Sequence, residues 1–235
     1  MTAPFPVAAP HEPAAQPGRL VAWVDGAGAF LLCLGETATL GGLSGKADVR
    51  LTADLSARHA AIHRSGEGYV VEATGPAVVA SEPRAGDVGP PSLSHDGHAA
   101  RRGSGRVVRD RTDLNNGDEL VLYRDGGGGV RLLFRRPNVL TATATLSVAS
   151  EHRTEPRFDG VVLLADACLF GPGREAHVRC RNWEETVLLF RRDGGLWCKS
   201  PLPLAVGGRP ANGPAPVGPG DHVTGPGISF RLESA

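Results

Sequence analysis

The sequence predicts an all-β protein made of two tandem β-sandwich domains, and three observations carry that expectation. Gly (32) and Pro (19) together make up about a fifth of the 235 residues, a composition that breaks helices and favours many short strands joined by turns. No segment repeats its apolar residues with helical spacing over three turns. One stretch occurs twice. Its first copy runs Leu40-Gly41-Gly42, Ala47-Asp48-Val49-Arg50-Leu51 and Ser56-Ala57-Arg58-His59-Ala60-Ala61-Ile62, and its second runs Phe170-Gly171-Pro172, Ala176-His177-Val178-Arg179-Cys180 and Thr186-Val187-Leu188-Leu189. A repeat on this scale marks two copies of one supersecondary plan, and only the first keeps Ser-x-x-His.

Residues 1–18, rich in Pro and Ala and lacking a basic and apolar leader, read as a disordered tail. The first unit spans 19–137. Leu20-Val21-Ala22-Trp23-Val24 and Phe30-Leu31-Leu32-Cys33-Leu34 flank Asp25-Gly26, a strong hairpin signal. Thr37–Leu40 and Val49–Leu51 follow as strands, and Ala60–His63 and Tyr69–Glu72 form a hairpin about Ser65–Gly68. Pattern vanishes between about 80 and 106, where Gly, Pro, Ser, His and Arg replace any periodicity. It returns with Asn116-Gly117-Asp118-Glu119-Leu120 and closes with Val130–Phe134.

The second unit, 138–235, repeats the order. Phe158-Asp159-Gly160 matches Val24-Asp25-Gly26, and Pro219-Gly220-Asp221-His222-Val223 matches Asn116–Leu120. From His59 to Asp118 the first copy spans 59 residues, against 35 from Thr186 to Asp221, so it carries a 24-residue insertion that coincides with the patternless stretch. The Gly-Asp turns at Asp118 and Asp221 are expected to set strand register rather than to serve as catalytic carboxylates.

Composition narrows the partners. Lys+Arg and Asp+Glu are equal at 25, which leaves no global field to attract nucleic acid or an anionic membrane. The longest apolar run, Val161–Leu164, is far too short to cross a bilayer. The four cysteines (Cys33, Cys168, Cys180, Cys198) lie far apart in apolar strand-like runs and are expected to be buried, reduced thiols. A soluble, cytoplasmic protein is expected. No residue pattern points to a cofactor. Gly41–Lys46 fails the spacing of a nucleotide loop, and His95-Asp96-Gly97-His98 offers too few ligands for a metal.

Leu40-Gly41, Asp48-Val49, Leu55–Ile62, Tyr69–Val71 and Asn116–Leu120 together resemble the forkhead-associated (FHA) family, over most of Trp23 to Phe134. The resemblance implies eleven-stranded β-sandwiches of the SMAD/FHA type, the first of which binds phosphothreonine peptides through loops at one end. It assigns the phosphate contact to Ser56 and the bracing of the loop to His59. The Arg that usually follows the loop Gly is here Gly42, and the usual Asn-Gly after the Tyr69 strand reads Ala73-Thr74-Gly75. The missing positive charge is expected from Lys46, Arg50 or Arg58, or from Arg101, Arg102 or Arg106 of the insertion. Trp183 and Thr186 replace Ser56 and His59 in the second copy, so no phosphopeptide site is expected there. The function expected is phosphothreonine-peptide recognition in Ser/Thr kinase signalling, without enzymatic activity. The rival expectation is an FHA-shaped scaffold that binds a protein partner independently of phosphate. No feature specifies an oligomeric state.

Overall fold

A computed structural model describes residues 18–81, 105–124 and 129–235. The expected tail, apart from Gly18, and most of the insertion, with His95, His98, Arg101 and Arg102, lie outside the described residues. Everything regular that is described is β-strand. The strands are β1 (Arg19–Val24), β2 (Gly28–Cys33), β3 (Thr37–Gly42), β4 (Val49–Leu51), β5 (Ala60–Ser65), β6 (Gly68–Ala73), β7 (Ala77–Ala80), β8 (Gly105–Val107), β9 (Arg111–Leu114), β10 (Glu119–Leu122) and β11 (Val130–Arg135). They continue with β12 (Ala144–Val148), β13 (Gly160–Leu163), β14 (Ala167–Gly171), β15 (Val178–Arg179), β16 (Val187–Arg192), β17 (Gly195–Lys199), β18 (Leu204–Val206), β19 (Arg209–Ala211), β20 (Ala215–Val217), β21 (His222–Gly225) and β22 (Ile228–Ser234). Among the described residues no helix is long and apolar enough to cross a membrane.

The strands form three sheets and no closed barrel. One has twelve strands, ordered β19-β18-β21-β22-β1-β2-β13-β12-β11-β10-β7-β8, and two have five, ordered β4-β3-β5-β6-β9 and β15-β14-β16-β17-β20. Two apolar cores result. The first gathers Leu40, Ile62, Val71, Leu120, Phe134 and Leu146, and the second gathers Leu20, Phe170, Leu189, Leu196, Phe230 and Leu232.

The centre of the large sheet explains both cores at once. β2 and β13 run parallel there, with Leu31 opposite Val161 and Cys33 opposite Leu163. Side chains alternate across a strand. Leu31, Cys33, Val161 and Leu163 therefore enter the first core, while Leu32, Leu34, Val162 and Leu164 enter the second. Strands buried on both faces read as unbroken apolar runs, as Leu31–Leu34 and Val161–Leu164 do.

The contiguous division at residue 138 does not match the hydrogen bonding. β1 pairs with the last strand β22, Leu20 opposite Ser234 and Val24 opposite Phe230, and its apolar face lines the second core. Trp23 Nε1 donates to a carboxylate oxygen of Glu233 at 2.9 Å. β12 instead pairs with β11, Phe134 opposite Leu146, and lines the first core. β1 and β12 thus each line the core opposite to the one the sequence division gives them, while β2 and β13 line both. The physical reason lies in the connections. Only residues 136–143 separate β11 from β12, and a short loop closes at less entropic cost than the return from β1 across the whole first half.

The register also corrects one match. Asp159-Gly160 is not a hairpin turn equivalent to Asp25-Gly26. Gly160 stands beside Phe30 in the parallel pair, and the Asp159 carboxylate accepts the Ala29 N–H at 2.8 Å. The Gly-Asp turns behave as expected. Asn115 N–H donates to Asp118 at 2.9 Å and Gly218 N–H to Asp221 at 2.8 Å, and Gly117 and Gly220 both hold φ at +92°, which glycine adopts without strain. The insertion falls between β7 and β8, which pair Val79 with Arg106, where the other half closes with the two glycines Gly207-Gly208 between β18 and β19.

Candidate functional site

Three glycines shape the corner of the first half. A Cβ on Gly41 would lie 2.3 Å from the Ala57 carbonyl oxygen, one on Gly42 2.4 Å from that of Leu55, and one on Gly45 2.1 Å from that of Ala57. No side chain fits at those distances, so only glycine lets the loop after β3 lie on the loop before β5. Gly42 N–H donates to the Ser56 carbonyl at 2.9 Å and locks the two together. The absence of an Arg at position 42 is thus built into the backbone.

His59 braces this corner. It is buried, with 1% of its surface exposed. Its N–H reaches the Leu40 carbonyl at 2.8 Å. Its Nδ1 accepts the Ser56 N–H at 3.3 Å, which leaves Nε2–H to donate to the Pro76 carbonyl at 3.0 Å. Its carbonyl accepts from Thr74 N–H at 2.9 Å and from Gly75 N–H at 3.2 Å, so two loops and strand β3 converge on one residue. A Cβ on Gly75 would stand 2.3 Å from the imidazole, so that glycine is fixed by ring contact.

Ser56 is partly exposed. Among the described residues its hydroxyl makes no hydrogen bond, and the N–H groups of Ala57 and Arg58 donate to none. A hydroxyl and two successive open amides form a patch of donors suited to an anion. Lys46 and Arg58 are exposed and in no ion pair among the described residues. They are chain neighbours of Gly45 and Ala57, the two residues in backbone contact. Arg50 is directed elsewhere. Its Nε donates to the Glu155 carbonyl at 3.1 Å, tying β4 to the segment where Leu51 bridges Thr154.

Arg106 is also committed. It lies 3.3 Å from the buried carboxylate of Asp118, which accepts from Ser81 Oγ at 2.8 Å as well. β7 starts beside Pro76, bound by His59, and runs away from the corner, so both described roots of the insertion, Ala80 and Gly105, stand at its far end. His63, four residues after His59, is on the outer face of β5 with its Nδ1 2.9 Å from Thr37 Oγ1.

The corresponding corner of the second half is built differently. Leu40 pairs with Ala60 as Phe170 pairs with Val187, which sets His59 and Thr186 at the same point of two ladders. Trp183, in the place of Ser56, is buried against Phe230 with ring centroids 6.3 Å apart. Asp48 accepts from the N–H and hydroxyl of Thr39 at 2.9 and 2.6 Å; His177, its counterpart, accepts the Leu169 N–H on Nδ1 at 3.0 Å. Burial lowers the His177 pKa to about 4, against weaker opposing effects of the Thr143 carbonyl and Asp166, so this imidazole is held neutral.

All four cysteines are free and buried. Burial pushes the thiols of Cys33 and Cys180 up to about 12 and that of Cys198 to about 11, and raises Cys168 as well. None is a thiolate nucleophile at neutral pH. Comparison of the chain with protein families, with curated proteins and with solved structures finds no match.

Proposed function

We propose that the corner at Ser56 is the phosphate-recognition site of an FHA-type sandwich, and that the protein binds phosphothreonine-bearing protein segments in Ser/Thr kinase signalling. The observation that carries this reading is Ser56 itself: a partly exposed residue whose hydroxyl has no partner among the described residues, followed by two amides that donate to none, and fixed from behind by the His59 brace. A phosphate brings close to two negative charges and several acceptor oxygens, and such a cradle meets them with preplaced donors. Lys46 and Arg58 supply the charge in place of the absent Arg. On this reading the second half is an FHA-type sandwich without the site, the pair exchanging their first two strands. Neutral, buried thiols throughout agree with a cytoplasmic, reducing setting.

A second reading has its own support. The 2.4 Å approach of a Gly42 Cβ to the Leu55 carbonyl leaves that position no cation, which favours an FHA-shaped scaffold that binds a protein without phosphate.

Titration of the full chain with matched pools of phosphothreonine and unphosphorylated peptides separates the two. Recognition of phosphate predicts selective binding of the phosphorylated pool. Loss of a charge-assisted hydrogen bond is worth ~1.5–3 kcal/mol, so Ser56→Ala is expected to weaken binding about tenfold or more. Equal binding of both pools overturns the phosphate reading and leaves the scaffold.

A further inference from the structure

The outer faces of the two five-stranded sheets have equivalent registers and opposite chemistry. Across β3-β5-β6-β9 one row reads Thr37, His63, Val70, Asp113. Across β14-β16-β17-β20 the same row reads Ala167, Phe190, Trp197, Pro216. In the next row, Ala61, Glu72 and Arg111 are answered by Leu188 and Lys199. The first face is closed by an ion pair between Arg111 and Glu72. The second is an apolar and aromatic band whose side chains point away from the core, Leu188, Phe190 and Trp197 being only partly covered.

Charge adds a second signature. The five strands of the second sheet carry no carboxylate; Arg192 and Lys199 stand on the outer face, whereas Arg191 turns to the opposite side and donates to the carbonyls of Leu34 and Leu164. Asp193 in the β16–β17 turn lies 3.2 Å from Arg192, and Asp166 directly precedes β14. Arg192 lies over the Trp197 ring at 4.9 Å from its centroid, and the Lys199 ammonium is 5.9 Å from that of Phe190. An apolar band on a sheet face with cations of one sign complements a surface that brings carboxylates to the cations and hydrophobic side chains to the band.

We propose that this outer face is a docking surface for an acidic protein segment carrying aromatic or aliphatic anchors. A single-stranded nucleic acid uses aromatic faces for base stacking, but here the cations already occupy ring faces, which favours carboxylates approaching from above. The surface belongs to the half that lacks the Ser56 corner, so it gives the rebuilt copy a function separate from phosphate recognition.

The test uses the full chain and three fluorescent probes: a random glutamate–tyrosine copolymer, polyglutamate, and single-stranded oligothymidine, read by anisotropy. The copolymer is expected to bind more tightly than polyglutamate, and Arg192→Gln/Lys199→Gln to weaken it about tenfold. Both side chains are exposed, so the variant keeps the core. Leu188→Ser, which retains both cations, is expected to weaken the copolymer and leave polyglutamate unchanged. Copolymer that fails to bind, or that binds the double variant as well as the parent, overturns the proposal. Tighter binding of oligothymidine than of copolymer overturns it in favour of nucleic acid.

Discussion

The Ser56–His59 corner and the Trp183–Thr186 corner occupy the same point of two ladders and solve the same problem in opposite ways. Both must hold two loops at the end of a sheet. The first uses polar bonds, with His59 spanning Ser56 and Pro76 while the Ser56 hydroxyl is left open. The second fills the space with an indole that packs on Phe230 and leaves Trp183 4% exposed. A hydrophobic plug stabilises through burial and offers nothing to a ligand. A polar brace holds donors toward solvent at the cost of desolvating a histidine. The difference teaches that the same ladder geometry does not require the same corner, and that the open donors of the first half are a chemical choice rather than a demand of the strand pairing.

The largest test of the relation between the halves is to separate them. A chain ending at residue 137 has β1 and β2 but lacks β12 and β13, which complete the first core. It is expected to show no cooperative unfolding by near-ultraviolet circular dichroism. Adding residues 138–235 as a second chain is expected to restore the signal. Independent folding of the 19–137 fragment with the stability of the full chain would falsify the exchange of strands.

Neighbouring residues of β2 sharpen the same point. Leu31→Ala and Leu32→Ala each remove a fully buried side chain and are each expected to cost about 2–5 kcal/mol. Leu31 lines the first core and Leu32 the second. The indole N–H resonance of Trp183 is therefore expected to shift with Leu32→Ala and to stay in place with Leu31→Ala.

Acid distinguishes the two corners next. His177 has a folded pKa of about 4, below its unfolded value of 6.5, because burial opposes its charge. The unfolded chain then takes up the proton first, so the histidine's contribution is intact above pH 6.5 and lost as pH falls toward 4. The drop is expected to be about 3 kcal/mol. Urea unfolding between pH 7 and 4 measures it, and His177→Asn is expected to flatten the profile. An unchanged slope in that variant assigns the acid sensitivity elsewhere.

The smallest effect concerns the brace. Gly75→Ala places a methyl 2.3 Å from the His59 ring, so the imidazole must leave Ser56 N–H or Pro76. The expected destabilisation is ~1–3 kcal/mol, the cost of an unsatisfied buried group. Phosphopeptide affinity is expected to fall with it, whereas Gly66→Ala, which meets no neighbour but carries the strain of a φ of +58°, lowers stability and leaves that affinity unchanged.

Much of this was legible in the residues. Alternating apolar patterns, the Asp25-Gly26 hairpin and the paired Gly-Asp turns announce the strands and their ends. Ser56 and His59 stand out in the sequence through the resemblance of their Ser-x-x-His to the FHA family, and among the described residues the Ser56 hydroxyl has no hydrogen-bond partner. The directions of the cations were not legible. Arg50 and Arg106 look equivalent to Arg58 in sequence, but a carbonyl at Glu155, 105 residues away, and a carboxylate at Asp118, 12 residues away, claim them. A signal for the exchange existed in Leu31–Leu34 and Val161–Leu164, since unbroken apolar runs mean burial on both faces.

By itself, then, the sequence determined the strand class and the turn positions, because each rests on residues a few positions apart. Only the tertiary structure decided which strand completes which core. β1 and β12 both carry an apolar face, so local preference is silent between them. The choice falls to chain connectivity, and the eight residues from Arg136 to Thr143 bring β12 to β11 and leave β1 to pair with β22.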